Sequence, residues 1–309
     1  MSLIKPVTKL SGLASVLRAG RMRRRVALVC PDDPHTLYVI SKALDEGIAD
    51  FTLFCGKPMC DRARELVETG GGHIAAQLFG SPDEAAREAV RAVRGGAADV
   101  LMKGTLNTDN LLRAVLDKQC GLLAQGSVLT HVTVAEIPAY PKLLVFSDAA
   151  VIPYPTLEQF DAIVRHTVRV ARMVGAAVPR VAFLHCTEKV SEKFPQTVCY
   201  EELKRRALRG DFGEVVADGP MDVKTALDAG SGDIKGIRSP VGGRADVLVF
   251  PDIEAGNTFY KTETLFASAL TAGVLCGTTA PVVVASRADS GESKFNSLAL
   301  ACASTGNDA

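Results

Sequence analysis

Apolar and polar positions follow two regular patterns along this chain. Short apolar runs such as "VALVC" (26–30) and "ADFTLFCG" (49–56) end at polar residues or glycine, which is typical of buried β-strands. Between them, "PHTLYVISKALDEG" (34–47) carries apolar residues at helical spacing. Strands that alternate with helices of this length predict a parallel sheet covered by helices, so the predicted fold class is α/β.

One helix is marked at both ends. In "SPDEAAREAVRAVRGG" (81–96), Ser81 can cap the first turn, Pro82 suits the first helical position and Glu84 completes a capping box. Gly95 then ends the helix.

The middle of the chain breaks the alternation. Residues 126–150 hold two apolar stretches separated by "IPAYP", which predicts a hairpin or the strands that link two domains. The alternation then resumes with a helix at about 157–174, and a further helix is expected in "TFYKTETLFASALTAG" (258–273). Glycine and proline cluster in 229–243, which predicts a long, functional or mobile loop. We expect two α/β domains with a cleft between them.

Composition narrows the class of protein. Among 309 residues, 35 basic side chains balance 35 acidic ones, which argues against a nucleic-acid binder. Eight scattered cysteines without C-x-x-C spacing indicate free thiols in a reducing cytosol rather than disulfides or a zinc site. The sequence has neither an 18-residue apolar run nor an apolar leader, so the expected location is cytoplasmic. P-loop, G-x-G-x-x-G and G-x-S-x-G motifs are also missing.

Polar residues follow most of the predicted strands, and ligands of open α/β sheets bind at such ends. Lys103 and Gly104 follow "VLM", where a lysine beside a glycine can serve an anion site. Asp148 and Asn257 follow later strands, but each could equally cap a local turn or helix.

The loop within "APVVVASRADSGESKF" (280–295) carries the strongest candidate chemistry. Arg287 offers planar donors suited to phosphate or a developing oxyanion, and Ser286 can donate to the same oxygen. The N–H groups at the start of the following helix favour anions, and Asp289 could accept a proton. The alternative is an ordinary cap with a surface ion pair.

Several segments together resemble one family. "LMKGTLNT", "LTHVTV", "LLVFSDAA", "VADGPMDV", "KGIRSPVGGRADVLVFPDIEAGNTFYK" and "APVVVASRADSGESK" look like the phosphate acetyl/butyryl transferases, with the butyryl branch the closer match. The resemblance implies acyltransferase activity (EC 2.3.1) that moves a short-chain acyl group between CoA and inorganic phosphate, without metal or cofactor because CoA is a substrate. It also implies an isocitrate/isopropylmalate dehydrogenase-like fold, a homodimer or larger assembly, and a final helix that returns to the first domain. The expected domains are residues 1–135 with 288–309, and residues 136–287.

The resemblance also suggests roles for individual residues. Ser286 and Arg287 match a pair that stabilises charge on the acyl carbonyl and phosphate. The family's aspartate base is expected seven residues past the serine, where this chain has Ser293, so Asp289 is the preferred base and Glu292 the other local carboxylate. The remaining residues are expected to contact phosphate or CoA: Lys103, Gly104, Thr130, Asp148, Asn257 and Lys261.

Two other functions stay open at this level. A β-decarboxylating dehydrogenase would share the implied fold, but Asp218, Asp246 and Asp252 do not form a convincing metal set. A CoA-ester binding protein without turnover is the second alternative, since Ser293 replaces the expected base.

Overall fold

The structure is a computed structural model that describes residues 7–21, 23–56 and 59–305. Residues 1–6 lie outside these ranges. The strands are β1 (Arg24–Val29), β2 (Ala49–Gly56), β3 (Ile74–Phe79), β4 (Val100–Lys103), β5 (Thr130–Glu136), β6 (Leu144–Ser147), β7 (Arg180–Leu184), β8 (Val216–Met221), β9 (Val247–Val249), β10 (Leu270–Cys276) and β11 (Val282–Val283). The helices are α1 (Ser11–Ala19), α2 (Pro34–Asp45), α3 (Asp61–Thr69), α4 (Pro82–Arg94), α5 (Thr108–Val115), α6 (Leu157–Met173), α7 (Pro195–Leu208), α8 (Val223–Leu227), α9 (Ala229–Lys235), α10 (Ile253–Phe266) and α11 (Gly291–Ser304). The α/β prediction is confirmed.

The chain forms two compact units. The first, here called the Arg287 unit, comprises Leu10–Leu129 and the described residues from Thr271 onward. The second, the Asn257 unit, comprises Thr130–Leu270 with residues 7–9. Apart from residues 7–9, these bounds differ from the expected domains at 130–135 and at 271–287. Residues 271–287 belong to the Arg287 unit because β11 pairs with β4. Residues 130–135 belong to the Asn257 unit because β5 pairs with β6.

The sheet of the Arg287 unit has the strand order β3-β2-β1-β4-β11-β10. All of its pairings are parallel except that of β10 with β11. Helix α11 is buried on almost every side, as its run of small and apolar residues from Phe295 to Cys302 permits. Because the packing of α11 fixes its axis, its first turn is fixed at the end of β11, where the candidate loop lies.

The sheet of the Asn257 unit has the order β5-β6-β9-β7-β8. Strands β5 and β6 form the predicted antiparallel hairpin, and the other pairings are parallel. On one face, the rings of Phe146, Phe250 and Phe259 pack together with centroids 5.3–5.8 Å apart. This cluster places α10 against the end of β6.

Local capping is as predicted for α4, with one change. The Ser81 hydroxyl accepts a hydrogen bond from Glu84 N, and the helix ends at Gly95. The Glu84 carboxylate accepts from Gly80 N at 2.9 Å, however, instead of completing the capping box at Ser81.

Three elements differ from the expected ones. Strand β3 was missed because it lies at a sheet edge where only Ile74 is buried, so it lacks an apolar run. The helix expected over 258–273 begins at Ile253 and ends at Phe266, because Ser268 takes a positive φ and the chain continues as β10. The expected loop 229–243 contains the short helix α9.

All eight cysteines are free thiols, and only Cys186 is exposed. Of the helices that the structure describes, none is both long and apolar enough to cross a membrane. Within the same residues, His, Cys, Asp and Glu do not gather in a group of three that could hold a metal ion.

Candidate active site

The loop after β11 is a closed turn. Asp289 N–H donates to the Ser286 carbonyl at 3.2 Å, and the Asp289 carboxylate accepts from Ser286 N–H at 2.7 Å. Ser290 then caps α11 by accepting from Ser293 N–H at 3.1 Å. The turn therefore brings the Ser286 hydroxyl, the Asp289 carboxylate and the start of α11 together.

The Arg287 side chain leaves this turn toward the segment that follows β4. One of its nitrogens, Nη2, donates to the Thr105 carbonyl at 3.4 Å and to Asn107 Oδ1. Gly104 lets this segment approach β1 closely, since a Cβ at that position would lie 2.1 Å from the Cys30 carbonyl oxygen. The guanidinium is thus held by residues 105–107, which we did not select from the sequence.

Lys103 is buried directly beneath that segment, with only 3% of the residue exposed. Its ammonium donates to the carbonyls of Gly104 and Leu106, at 3.1 and 3.2 Å. Burial, together with the nearby cations Lys294 and Arg287, lowers the pKa of Lys103 to about 8. Lys103, which was selected as a substrate contact, therefore has backbone partners in the structure.

The second candidate base, Glu292, already has partners. Its carboxylate accepts from Lys42 Nζ at 2.6 Å and from the Tyr38 hydroxyl at 2.9 Å. Partial burial by itself would raise the pKa of Glu292, but the hydrogen bonds from Lys42 and Tyr38 outweigh it and lower that pKa. Ser293, at the position where the resemblance expects a base, is buried and its hydroxyl accepts from Thr271 N–H at 3.5 Å.

A second ion pair, in which the lysine is buried, lies next to the loop and was also missed. Lys294 in α11 donates to the Asp33 carboxylate at 3.0 Å, and its side chain is only 5% exposed. Asp33 in turn caps α2 by accepting from Thr36 N–H at 3.0 Å. The "DD" at 32–33, separated from the end of β1 by two residues, was the available signal, because polar residues in this position face the carboxyl edge of a parallel sheet.

A cavity of about 340 Å³ opens beside Arg287, entirely within the Arg287 unit. Its polar lining includes Asp32, Thr105, Asn107, Asn110 and Arg287. A larger cavity, of about 460 Å³, lies along 225–243 in the Asn257 unit, and none of the selected site residues lines it. Both cavities are lined by an arginine, Arg238 in the larger and Arg287 in the smaller. We assign the site to the smaller cavity because its arginine belongs to the loop that carries Ser286 and Asp289.

Two of the selected residues of the Asn257 unit stabilise its backbone. The buried Asp148 carboxylate accepts from Ala150 and Val151 N–H, both at 2.8 Å, and from His131 N–H at 2.9 Å. Asn257 lies inside α10 and donates to the Ala149 carbonyl at 3.0 Å, while Asp252 is the cap.

The other two selected residues of the Asn257 unit, Thr130 and Lys261, differ in exposure. Thr130 is buried, with its hydroxyl 2.8 Å from His166 Nδ1, and burial lowers the pKa of His166 to about 4. Lys261 is exposed, with its ammonium 4.5 Å from the centroid of the Tyr260 ring. Of the nine selected residues, the Arg287 unit holds Ser286, Arg287, Asp289, Lys103 and Gly104, and the Asn257 unit holds Thr130, Asp148, Asn257 and Lys261.

The fold is α/β, and one turn beside a polar cavity carries both an arginine and a carboxylate. This combination is typical of an enzyme that acts on small anionic molecules. Residues 74–302 match the family described as phosphate acetyl/butaryl transferase, and the chain belongs to this family. This confirms the resemblance seen in the sequence.

Individual relatives agree with the family over nearly the whole chain. A phosphate acetyltransferase from Thermotoga maritima is 37% identical, with 90% of this chain and 94% of the relative covered. A phosphate butyryltransferase from Clostridium acetobutylicum is 36% identical, with 94% and 96% covered. The crystal structure of a branched-chain phosphotransacylase from Enterococcus faecalis superposes with a TM-score of 0.79 at 31% identity, covering 91% of this chain and 99% of that one.

Proposed function

We propose that this protein exchanges a short-chain acyl group between CoA and inorganic phosphate, so that acyl-CoA and phosphate give acyl phosphate and CoA. The observation that carries the proposal is the Ser286–Asp289 turn with its Arg287 guanidinium, in a chain whose near full-length relatives are phosphate acyltransferases.

The proposed reaction is a direct transfer within a ternary complex. The CoA thiol, with a pKa of about 8.5, is mostly protonated at neutral pH, so a carboxylate that accepts its proton promotes attack. The thiolate then attacks the carbonyl carbon of the acyl phosphate, the carbon–oxygen bond to phosphate breaks, and phosphate leaves with the electron pair. Arg287 and Ser286 stabilise the oxyanion and the leaving phosphate.

We propose Asp289 as the proton acceptor. Its Oδ2 is oriented by Ser286 N–H at 2.7 Å, within the same turn as Arg287. Glu292 is less suited because Lys42 and Tyr38 already bind its carboxylate. From the resemblance, the proposed substrate-site residues are Lys103, Gly104, Thr130, Asp148, Asn257 and Lys261.

The wider assignment follows from the family. We propose that the two compact units correspond to the two α/β/α domains of an isocitrate/isopropylmalate dehydrogenase-like fold. We further propose a cytoplasmic location, which the free thiols support. The absence of a metal or organic cofactor is proposed from the family resemblance. A β-decarboxylating dehydrogenase is not favoured, because the relatives that match along the chain are phosphate acyltransferases.

Release of CoA should depend on phosphate. Purified protein with acetyl-, propionyl- or butyryl-CoA is expected to release free thiol only when phosphate is added, because phosphate is the attacking group in that direction. A thiol reagent measures the release, and sulfate at equal ionic strength is the control. Equal release without phosphate would indicate a thioesterase, and binding without release would indicate a CoA-ester binding protein.

We also propose that two or more copies assemble through the end of α10. Leu265 and Phe266 are 73% and 80% exposed there, with Leu270 a further 38% exposed, and exposed apolar patches of this kind mark interfaces. The family resemblance implies a homo-oligomer, so we expect a second copy of this chain to cover the patch.

Light scattering should therefore give wild-type protein the mass of at least two chains. Phe266→Glu should shift that mass toward one chain, since a buried charge without a partner is costly. Leu208→Glu is the matched control, because Leu208 is 89% exposed but lies outside this patch. A monomeric wild type, or an unchanged mass for Phe266→Glu, would contradict the assignment.

A further inference from the structure

The Lys103 ammonium is hydrogen-bonded to the backbone. It is buried at the end of β4 and donates to two carbonyls of one short turn, residues 104–107. Buried lysines normally pair with a carboxylate, so two carbonyl partners are unusual. Such an arrangement fixes the shape of the turn and leaves the ammonium little capacity to bind a substrate.

The same turn is held from its other side. Gly104 N–H and Thr105 N–H donate to the carbonyls of Val29 and Cys30, both at 2.8 Å. Its carbonyls therefore point two ways: those of Gly104 and Leu106 accept from Lys103, and that of Thr105 accepts from Arg287. Lys103 and Arg287 are thus connected through the turn.

We propose that Lys103 is a positioning residue for acyl transfer: it holds the 104–107 turn so that Thr105 and Asn107 keep the Arg287 guanidinium aimed at the reacting group. The inference rests on the function proposed above. A positioning role for Lys103 would affect kcat. A lysine that bound phosphate or CoA directly would mainly affect substrate affinity, and therefore KM.

The charge of Lys103 responds to pH near neutrality. The charged groups that face it are Arg287 and Asp289 from the loop after β11, Lys294 from α11 and Asp33 before α2. Burial and the two cations lower the pKa of Lys103 to about 8, against the two carboxylates. Below that pH its hydrogen bonds to the turn are charge-assisted, and above it they weaken.

Steady-state kinetics of Lys103→Met test the inference, with Lys118→Met as an exposed control in the same unit. We expect a roughly 10- to 100-fold loss of kcat at neutral pH, because small misplacements of a catalytic group cost that much. KM for phosphate and for acyl-CoA should stay within about threefold. The ratio of wild-type to variant kcat should fall as pH rises through about 8, because Lys103 of the wild type then loses its positive charge and with it the charge-assisted hydrogen bonds to the turn.

A double-mutant cycle with Asn107→Ala gives an independent readout. Each single variant should lose kcat, and the double variant should lose little more than either one, because both act through Arg287. If Lys103→Met does not fold, as circular dichroism would show, Asn107→Ala decides by its own kcat loss at unchanged KM. A large rise in KM with unchanged kcat, a pH-independent ratio or additive losses would overturn the inference. If wild-type protein shows no phosphate-dependent release, the proposed function has failed instead.

Discussion

Replacing Arg287 with alanine should lower kcat for phosphate-dependent CoA release by about 10²- to 10³-fold, because one preorganised donor to a developing oxyanion is typically worth about 3–4 kcal/mol. The side chain is exposed, and among the described residues it donates side-chain hydrogen bonds to Thr105 and Asn107. The free energy of unfolding should therefore change by less than about 1 kcal/mol. Steady-state rates and urea unfolding measure the two quantities.

Two further variants define what the guanidinium contributes. Arg287→Lys should recover only part of the rate, since an ammonium keeps the charge but lacks the planar set of donors. Arg62→Ala removes an exposed arginine of the same unit, which pairs with Glu65 at 2.6 Å, and should keep wild-type activity. Wild-type rates for Arg287→Ala would remove the site assignment.

Glu263 should make the stability of the protein fall with rising pH. This residue of α10 is 4% exposed, and within the described structure neither carboxyl oxygen has a hydrogen-bond partner. Burial raises the pKa of Glu263 to about 8 from an ordinary value of 4.5. The folded state then keeps a proton that the unfolded chain releases, so the stability contribution is full below pH 4.5 and is lost as pH rises through about 8.

Glu263→Gln should abolish this dependence. The variant should be more stable than wild type in alkaline solution, with a difference of up to about 5 kcal/mol that disappears near pH 5. The free energy of unfolding is measured at several pH values for both proteins. The quantity to compare is the difference between the variant and the wild type at each pH. His166 acts in the opposite sense, because its lowered pKa reduces stability as pH falls from 6.5 to about 4.

Glu254→Gln, at an exposed position in the first turn of the same helix, is the matched control and should show no such trend. A Glu263→Gln difference that is constant between acid and alkaline solution would contradict the prediction. All unfolding measurements should use one protein concentration. Leu265 and Phe266 of the proposed interface lie on the same helix, so assembly would otherwise change the apparent stability.

Sequence patterns predicted most of the fold where the determining residues are close together. The Ser81 cap, the Gly95 end of α4 and the β5–β6 hairpin each depend on a few neighbouring positions. Strand β3 and the start of β10 were missed, since one is a poorly buried edge and the other lies inside an apparently helical segment.

For the candidate site, the sequence selected one loop but could not choose among its charged side chains. Glu292 binds Lys42, 250 positions away, and Lys294 binds Asp33, 261 positions away. Such partners depend on how α11 packs against α2. The preference for Asp289 over Glu292 therefore has a physical basis only once the fold is known.

By itself, the sequence determined the α/β class and the family, and it selected the Ser286–Arg287 loop as the candidate site, because periodicity, caps and motifs lie within short stretches of the chain. The tertiary structure alone decided what each charge does: Lys103 binds a turn, Asp148 binds backbone N–H groups, and Glu263 is buried without a partner. The reason is that burial and hydrogen-bond partners come from residues distant in the chain, and these set both the ionisation and the orientation of a side chain.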